Sequence, residues 1–354
     1  MLEIDLKQWR CTPVNTIQIT NHALHTCMQR ILQQVPVQRR VMVPFTALRQ
    51  LCAHKQQLFA EFMLATVTIF WGATFPIVKD AIIEMPVMAF LWVRFAMAAV
   101  LLAIIAGRSG LASLDRRGWR IGILLGTLLF LSYLFQTFGL ERTSSANTGF
   151  LTGLGVIWVP LMAGPLLKKP AAFGSKIGVG LALIGLFMLT WHTPWTLSFG
   201  DLLVVICSVF VALHIIGLDA FTRGYDARAL TFVQIATMAV LGCFGTLVFD
   251  PVSWPQTWTG SLIFALIITS VFATVYAFWA MTTFQNRTTP TRAALIYTLE
   301  PVFAAIFSVW LAGDRLSTVG WFGGAMIVVG TLVAALWPLV SLRMSKARRL
   351  SDNP

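Results

Sequence analysis

Charged residues are scarce in this sequence. They make up 11% of the 354 residues, whereas hydrophobic residues make up 57% and the mean hydropathy is +0.77. A soluble domain has about 25% charged residues. The composition therefore excludes an ordinary soluble protein and is typical of a chain that crosses a membrane many times.

Motifs for catalysis, nucleotide hydrolysis and metal binding are also missing. The five cysteines form no C-x-x-C pair and the five histidines are scattered, so no metal site is expected. The sequence has no phosphate-binding G-x-x-x-x-G-K-[ST] loop, and neither H-E-x-x-H nor G-x-S-x-G occurs. We therefore expect neither an enzyme nor an ATP-driven pump, and we expect no cofactor.

Ten apolar runs are long enough to cross a bilayer, which requires about 20 residues of helix. Glycine, proline and charged residues separate these runs. They lie near residues 59–78, 86–107, 119–140, 145–167, 174–191, 200–219, 229–248, 259–283, 292–312 and 318–340. The sequence therefore predicts an all-α integral membrane protein with ten transmembrane helices.

Lysine and arginine are unequally distributed between the predicted loops. If the first span starts in the cytoplasm, the cytoplasmic loops and the C-terminal tail hold fifteen of them, and the outside loops hold Lys79, Arg142 and Arg315. Positive residues favour the cytoplasmic side, so both termini are predicted to be cytoplasmic, in a bacterial inner membrane. The net charge of +12 thus reflects topology, and no nucleic-acid partner is expected.

The two ends of the chain differ from the apolar part. Residues 1–58 are polar and basic, contain no serine and lack an apolar stretch as long as that of a signal peptide. We interpret them as a disordered and dispensable segment, or as the result of a start site placed too far upstream; a regulatory or membrane-surface segment is the alternative. Residues 341–354 are predicted to form a basic cytoplasmic tail.

The sequence contains an internal repeat. Residues 144–187 align without a gap with residues 289–332, and a segment around Arg94 resembles one around Gln234. The alignment pairs two sets of glycines: Gly178 with Gly323 and Gly185 with Gly330. The chain therefore consists of two related halves, residues 59–191 and 200–340.

Each half contains five predicted spans. Because five is an odd number, the second half must insert in the opposite orientation to the first. Inverted repeats of this kind are typical of secondary transporters, whose binding site lies near the midplane between the halves. The predicted fold is therefore a bundle of two inverted five-helix repeats.

Four segments resemble the EamA family of the drug/metabolite transporter superfamily. They are "FWGATFPIVK" in the first span, the arginine in "LWVRFAMAA", "TSSANTGFL" before the fourth span, and "LEPVFAAIFSVWLAGDRLS", which leads into the tenth. The resemblance covers residues 60–340 in order. It implies two inverted five-helix repeats and export or exchange of small metabolites, often amino acids or drugs. The first half departs from the second, because Gly155 and Val156 stand where the second has Glu300 and Pro301.

Glu300 is a carboxylate inside a predicted span. Burying a charged side chain in a membrane costs about 2.5–3.5 kcal/mol, so Glu300 must be protonated or lie in a polar cavity. We interpret it as a cavity residue that takes up and releases a proton; a structural hydrogen bond to a neighbouring helix is the alternative. Pro301 breaks the helix and frees the carbonyl group of Tyr297.

Two basic residues have competing interpretations. Arg94 lies roughly 12 Å from the outer side, at 1.5 Å per helical residue. Its guanidinium group can bind a substrate carboxylate, or it can pair with Glu300 or with backbone carbonyls as a structural contact. Lys79 ends the first span and is either an interfacial anchor or an outer gate.

Other polar and aromatic residues within the spans are further candidates for a substrate cavity. They are Trp71, Gln136, Asn147, Gln234, Tyr276 and Tyr297. Interhelical hydrogen bonds and core packing explain each of them as well as substrate contact does. His214 is interpreted as a structural histidine with a satisfied hydrogen bond.

The sequence favours a secondary transporter that exports a small organic metabolite, such as an amino acid or a drug-like compound, by alternating access. Proton counter-transport is its expected energy source, because no nucleotide site is present. An uncoupled facilitator or channel is the main alternative, and a non-transporting scaffold or sensor is a weaker one. No oligomeric state is predicted.

Overall fold

The computed structural model of the chain describes residues 45–189, 198–249, 257–311 and 316–351. The chain divides into two units, Met1–Ala53 and His54–Pro354. The second unit contains all the sites described below. Its described elements are helices, as the composition predicts.

The helices are numbered in chain order. They are α1 (Phe45–Glu84), α2 (Val87–Ala112), α3 (Arg116–Arg142), α4 (Ser145–Gly153), α5 (Gly155–Leu167), α6 (Phe173–Leu189), α7 (Phe199–Phe221), α8 (Ala227–Phe249), α9 (Gly260–Ser270), α10 (Ala277–Phe284), α11 (Pro290–Tyr297), α12 (Leu299–Leu311) and α13 (Thr318–Ser351). A π-helix (Val271–Tyr276) joins α9 to α10, and a short 3₁₀-helix (Gln285–Arg287) follows α10.

The predicted end segments overlap the first and last of these helices. Helix α1 begins at Phe45, inside the segment predicted to be disordered, and the first 44 residues of that segment lie outside the described residues. Helix α13 continues to Ser351, through most of the predicted tail. The disorder of residues 1–58 stays a prediction.

Eight helical segments among the described residues are long and apolar enough to cross a membrane. They are Lys55–Glu84, Val87–Ala112, Arg116–Arg142, Asn147–Leu167, Phe199–Phe221, Ala227–Val248, Gly260–Arg287 and Thr318–Trp337. The other two predicted spans are shorter: Phe173–Leu189 is an apolar helix of 17 residues, and the span at 292–312 is interrupted. The chain is therefore a multi-pass membrane protein, and the part of it that the structure describes is all-helical.

Two of the predicted spans are each divided into two helices. The span at 145–167 breaks at Leu154, between α4 and α5, and the span at 292–312 breaks at Thr298, between α11 and α12. Pro301 has no N–H group to donate to the carbonyl oxygen of Tyr297, which weakens the helix at that point. Both breaks lie beside the cavity described below.

Glycines allow α6 and α13 to pack with their backbones in contact. A Cβ atom added to Gly178 would lie 2.6 Å from the carbonyl oxygen of Gly330, and one added to Gly185 would lie 2.5 Å from that of Gly323. No larger residue fits at these positions without displacing a backbone. Small residues are the usual means of close helix approach in membranes.

Candidate functional site

A cavity of about 80 Å³ lies among the helices of both halves of the chain. One water molecule needs about 10–15 Å³ of such volume, so the cavity has room for several waters. Its polar lining includes Arg94, Ser132, Gln136, Thr152, His214 and Glu300. Its aromatic lining includes Trp71, Phe75, Tyr133, Phe278 and Tyr297.

The structure brings five of the predicted cavity candidates together. Trp71, Arg94, Gln136, Tyr297 and Glu300 all line this cavity. They come from α1, α2, α3, α11 and α12, which are separated by up to 229 positions in the sequence. Tertiary packing therefore assembles in one place the side chains that the sequence presents far apart.

Glu300 is the second residue of α12 and lies directly after the break at Thr298. It is 8% exposed, and no hydrogen bond or ion pair of its carboxyl group is found within the described ranges. The N-terminal end of a helix carries a partial positive charge, which favours a carboxylate there. The cavity is thus the environment in which the Glu300 carboxyl group can bind a ligand or a proton.

Close packing of α1 on α12 determines how near Glu300 lies to the first span. A Cβ atom added to Gly72 would lie 2.7 Å from the backbone nitrogen of Ala304 and 2.8 Å from the carbonyl oxygen of Glu300. Only glycine permits this approach. Trp71, the neighbour of Gly72, lines the same cavity as Glu300.

Arg94 is 3% exposed and is bound by neutral groups. Its Nε donates to Thr274 Oγ1 at 3.0 Å, and its Nη2 donates to the carbonyl oxygen of Ala273 at 3.4 Å. The guanidinium carbon lies 4.9 Å from the ring centre of Tyr133, a cation–π contact. None of the ion pairs among the described residues involves Arg94, so its charge is available to a ligand in the cavity.

The π-helix supplies the acceptors for these contacts. The Trp71 indole nitrogen donates to the Ala273 carbonyl oxygen at 3.0 Å, the same oxygen that Arg94 contacts. The Thr274 hydroxyl group donates to the carbonyl oxygen of Thr269 at 2.8 Å. The wider turn of a π-helix leaves carbonyl groups free for side chains, and such turns are frequent at functional sites.

The remaining predicted candidates lie outside the cavity lining. Gln234 is fully buried behind the wall, where its Oε1 faces His214 Nε2 at 3.0 Å. The Tyr276 hydroxyl group is hydrogen-bonded to Thr66 Oγ1 at 2.5 Å. Asn147 Nδ2 donates to Thr143 Oγ1 at 3.4 Å, near the end of α3.

Lys79 and Pro301 have structural contacts. Lys79 Nζ donates to the carbonyl oxygens of Leu140 and Thr143, the latter at 2.7 Å, and so caps the C-terminal end of α3. The Pro301 ring packs against Gly149 and Gly153 of α4. Neither residue is part of the cavity lining.

A second buried polar cluster lies away from the cavity and was not anticipated from the sequence. Arg292 Nη2 pairs with Glu61 Oε2 at 3.0 Å, and both side chains are less than 8% exposed. The Thr288 hydroxyl group donates to Glu61 at 2.7 Å, and Arg292 also donates to the carbonyl oxygen of Ala335. This cluster ties α1, α11 and α13 together. Glu61 lies inside a predicted span and was therefore detectable as an intramembrane carboxylate.

A family model described as the EamA-like transporter family matches this chain twice, over residues 58–191 and 198–336. The chain is 31% identical over 283 residues to a protein of Archaeoglobus fulgidus named an uncharacterized transporter, covering 79% of this chain and 87% of that one. It is 26% identical to the uncharacterized transporter YyaM of Bacillus subtilis, covering 77% of this chain and 92% of that one.

A solved crystal structure has a similar fold. The TM-score is 0.65 at 19% sequence identity, and the match covers 80% of this chain and 97% of that chain. At this level of identity the similarity concerns the fold alone.

Proposed function

Because the chain belongs to the EamA-like transporter family, we propose that it is a secondary transporter that exports small organic metabolites, such as amino acids or drug-like compounds. The observation that carries the proposal is the cavity itself. Arg94 and Glu300, a basic and an acidic side chain, both line it, and no ion pair joins them among the described residues. A basic and an acidic side chain can bind the carboxylate and the ammonium or hydroxyl groups of a polar organic solute.

The proposed architecture is a bundle of ten spans in two inverted repeats, residues 59–191 and 200–340. Contacts between α6 and α13 support it. In the sequence alignment Gly178 corresponds to Gly323 and Gly185 to Gly330, and in the structure Gly178 meets Gly330 while Gly185 meets Gly323. Reciprocal contacts of this kind are what a two-fold axis between equivalent helices produces.

The two interrupted spans support the same symmetry. Leu154 and Thr298 occupy nearly equivalent positions in the repeat alignment, and each ends one short helix and starts another. Interrupted helices at the interface between repeats commonly form the binding site of secondary transporters. Glu300 occurs only after the second break, because the first half has Gly155 at the corresponding position.

Alternating access requires that the cavity open to one side of the membrane at a time. We assign the Glu61–Arg292 cluster to the cytoplasmic side, because the distribution of Lys and Arg places the start of the first predicted span and the start of α11 there. In this structure the cluster holds α1, α11 and α13 together at that level. Opening toward the cytoplasm then requires that the cluster separate or move as a unit.

Glu300 is proposed to couple transport to protons. Export against a gradient requires an energy source, and a carboxyl group in an apolar setting can exchange a proton when its hydration changes. Substrate and proton would occupy the cavity in alternation, each favouring one opening. A single proton site is expected, since the first half lacks a corresponding carboxylate.

The proposal is tested with purified protein in liposomes that contain a panel of amino acids and cationic drugs. We expect export of at least one class of compound, with a rate that saturates and that increases when an inward proton gradient is imposed. Flux that does not saturate would instead indicate a channel. Flux that saturates but whose rate does not depend on the proton gradient would indicate an uncoupled facilitator.

A further inference from the structure

His214 and Gln234 form the first link of a directional chain of hydrogen bonds at the cavity wall. His214 lines the cavity, is 2% exposed and lies edge-on to the ring of Phe278, with 6.2 Å between ring centres. Its Nε2 lies 3.0 Å from Gln234 Oε1. Gln234 is fully buried and is not part of the cavity lining. The Nε2 side of the imidazole ring therefore faces away from the cavity.

The orientation of the Gln234 amide group follows from its other neighbours. Gln234 Nε2 lies 3.3 Å from the carbonyl oxygen of Leu230, which can only accept a hydrogen bond. It also lies 3.4 Å from Thr282 Oγ1, whose own hydrogen is donated to the Phe278 carbonyl oxygen at 2.8 Å. Both neighbours accept, so the amide nitrogen must face them and the amide oxygen must face His214.

The protonation of the imidazole ring is determined by this orientation. Gln234 Oε1 is an acceptor, so His214 Nε2 must carry a hydrogen. In a neutral imidazole the other ring nitrogen then has a free lone pair. The two nitrogens flank Cε1 and point outward in widely divergent directions, and no donor to Nδ1 is found in the part of the chain that the structure describes. His214 Nδ1 is thus an acceptor on the cavity side.

We propose that His214 is a specificity-determining residue of the transporter, whose Nδ1 accepts a hydrogen bond from the ammonium group of an amino-acid substrate. Gln234 is the positioning residue that maintains the required tautomer. The inference rests on the proposed function, because it assumes that substrate enters this cavity. It assigns to the site a neutral acceptor, in addition to the two ionisable groups Arg94 and Glu300.

The tautomer is tested directly by nitrogen-15 NMR. The other four histidines are replaced by glutamine, and the labelled protein is measured in lipid bilayers at neutral pH without substrate. We expect an unprotonated Nδ1 and a protonated Nε2 for His214, and Gln234→Leu should yield a mixture of tautomers. A protonated Nδ1 in the protein with Gln234 intact, whether in the other neutral tautomer or in a cation, would overturn the proposal.

The contact with substrate is tested with two probes, phenylalanine and its N,N,N-trimethyl derivative. The derivative keeps both charges but has no N–H donor. With His214 intact, we expect phenylalanine to have a KM about tenfold lower than the derivative, in line with one lost hydrogen bond to a charged group. In His214→Phe this KM ratio should fall toward one, because neither probe can then donate a hydrogen bond to residue 214. The bulk of the methyl groups is the same in both proteins, so size does not account for the change.

An unchanged KM ratio in His214→Phe would overturn the proposal, since the ratio would then reflect size alone. Gln234→Leu should reduce the ratio partially, while the maximal rate for phenylalanine changes less than its KM. If the protein with His214 intact transported neither phenylalanine nor any other compound of the panel, that result would count against the proposed function. The NMR measurement would still decide the orientation of His214 in that case.

Discussion

Trp71 and Arg94 donate hydrogen bonds to the same carbonyl oxygen, that of Ala273. This oxygen belongs to the π-helix between α9 and α10, and Thr274 beside it accepts a further bond from Arg94. A short irregular turn therefore determines where one cavity arginine and one cavity tryptophan lie. Its geometry should be as important for transport as the side chains that contact substrate.

Replacing Thr274 tests the role of this turn. Thr274→Val keeps the shape of the side chain but removes the acceptor for Arg94 Nε, and a buried donor without a partner costs about 1–3 kcal/mol. We expect a several-fold higher KM for transport, measured in liposomes, whereas Thr274→Ser should retain most of the affinity. Equal behaviour of the two variants would show that the hydroxyl group does not position Arg94.

Replacing Glu300 tests proton coupling. Glu300→Gln keeps the size and the hydrogen-bonding capacity of the side chain but removes its titration. We expect substrate binding to persist, while the dependence of transport on pH and on a proton gradient is lost. Glu84→Gln is the matched control, because Glu84 is exposed at the end of α1. A Glu300→Gln protein with an unchanged pH profile would make Glu300 a structural residue.

The buried ion pair between Glu61 and Arg292 should be much more costly to break by removing one partner than to replace as a whole. Glu61→Leu or Arg292→Met alone leaves one buried charge without its partner, and we expect a loss of about 3–5 kcal/mol in the free energy of unfolding. The double variant should lose clearly less than the sum of the two. Unfolding in detergent, followed by tryptophan fluorescence, measures these differences.

An exposed ion pair provides the control for that experiment. Arg228 pairs with Asp226 at 3.0 Å, and its side chain is 43% exposed. Arg228→Met should change the free energy of unfolding by less than about 1 kcal/mol. If this variant and Arg292→Met were equally destabilised, burial would not be the reason for the effect at Arg292.

Close packing of α6 on α13 can be tested by adding single methyl groups. In Gly178→Ala the added Cβ atom would lie 2.6 Å from the Gly330 carbonyl oxygen, so the helices must separate, and we expect a loss of about 1–3 kcal/mol. Gly180 lies on the same helix with nothing within 4 Å of an added Cβ atom. Gly180→Ala should leave thermal stability unchanged or slightly higher. A similar loss in both variants would contradict the packing argument.

The orientation in the membrane is tested with reporter fusions. The excess of Lys and Arg predicts that the connection near Trp119 is cytoplasmic and that the connection near Arg142 is outside. A phosphatase fused near Arg142 should therefore be active, and one fused near Trp119 inactive. The opposite pattern would overturn the predicted orientation and, with it, the assignment of the Glu61–Arg292 cluster to the cytoplasmic side.

Much of the candidate cavity could be predicted from the sequence. Exposing an ionisable side chain to lipid costs free energy, so Arg94 and Glu300 were expected to face the protein interior. Both line the cavity. The same reasoning did not distinguish Gln136, which lines it, from Gln234, which lies behind its wall. Depth along a helix can be counted from the sequence, whereas the direction in which a side chain points depends on neighbouring helices.

The sequence by itself determined the membrane character, the family and the charged residues that must be buried in protein and not exposed to lipid, because hydrophobicity and charge are properties of individual residues. Tertiary structure alone decided which groups meet. The Glu61–Arg292 pair joins positions 231 residues apart. The acceptors for Arg94 arise from a π-helical turn, and the hydrogen-bond chain that orients His214 depends on the packing of α7 against its neighbours. Hydrogen bonds require distances near 3 Å, and only the packed helices establish such distances.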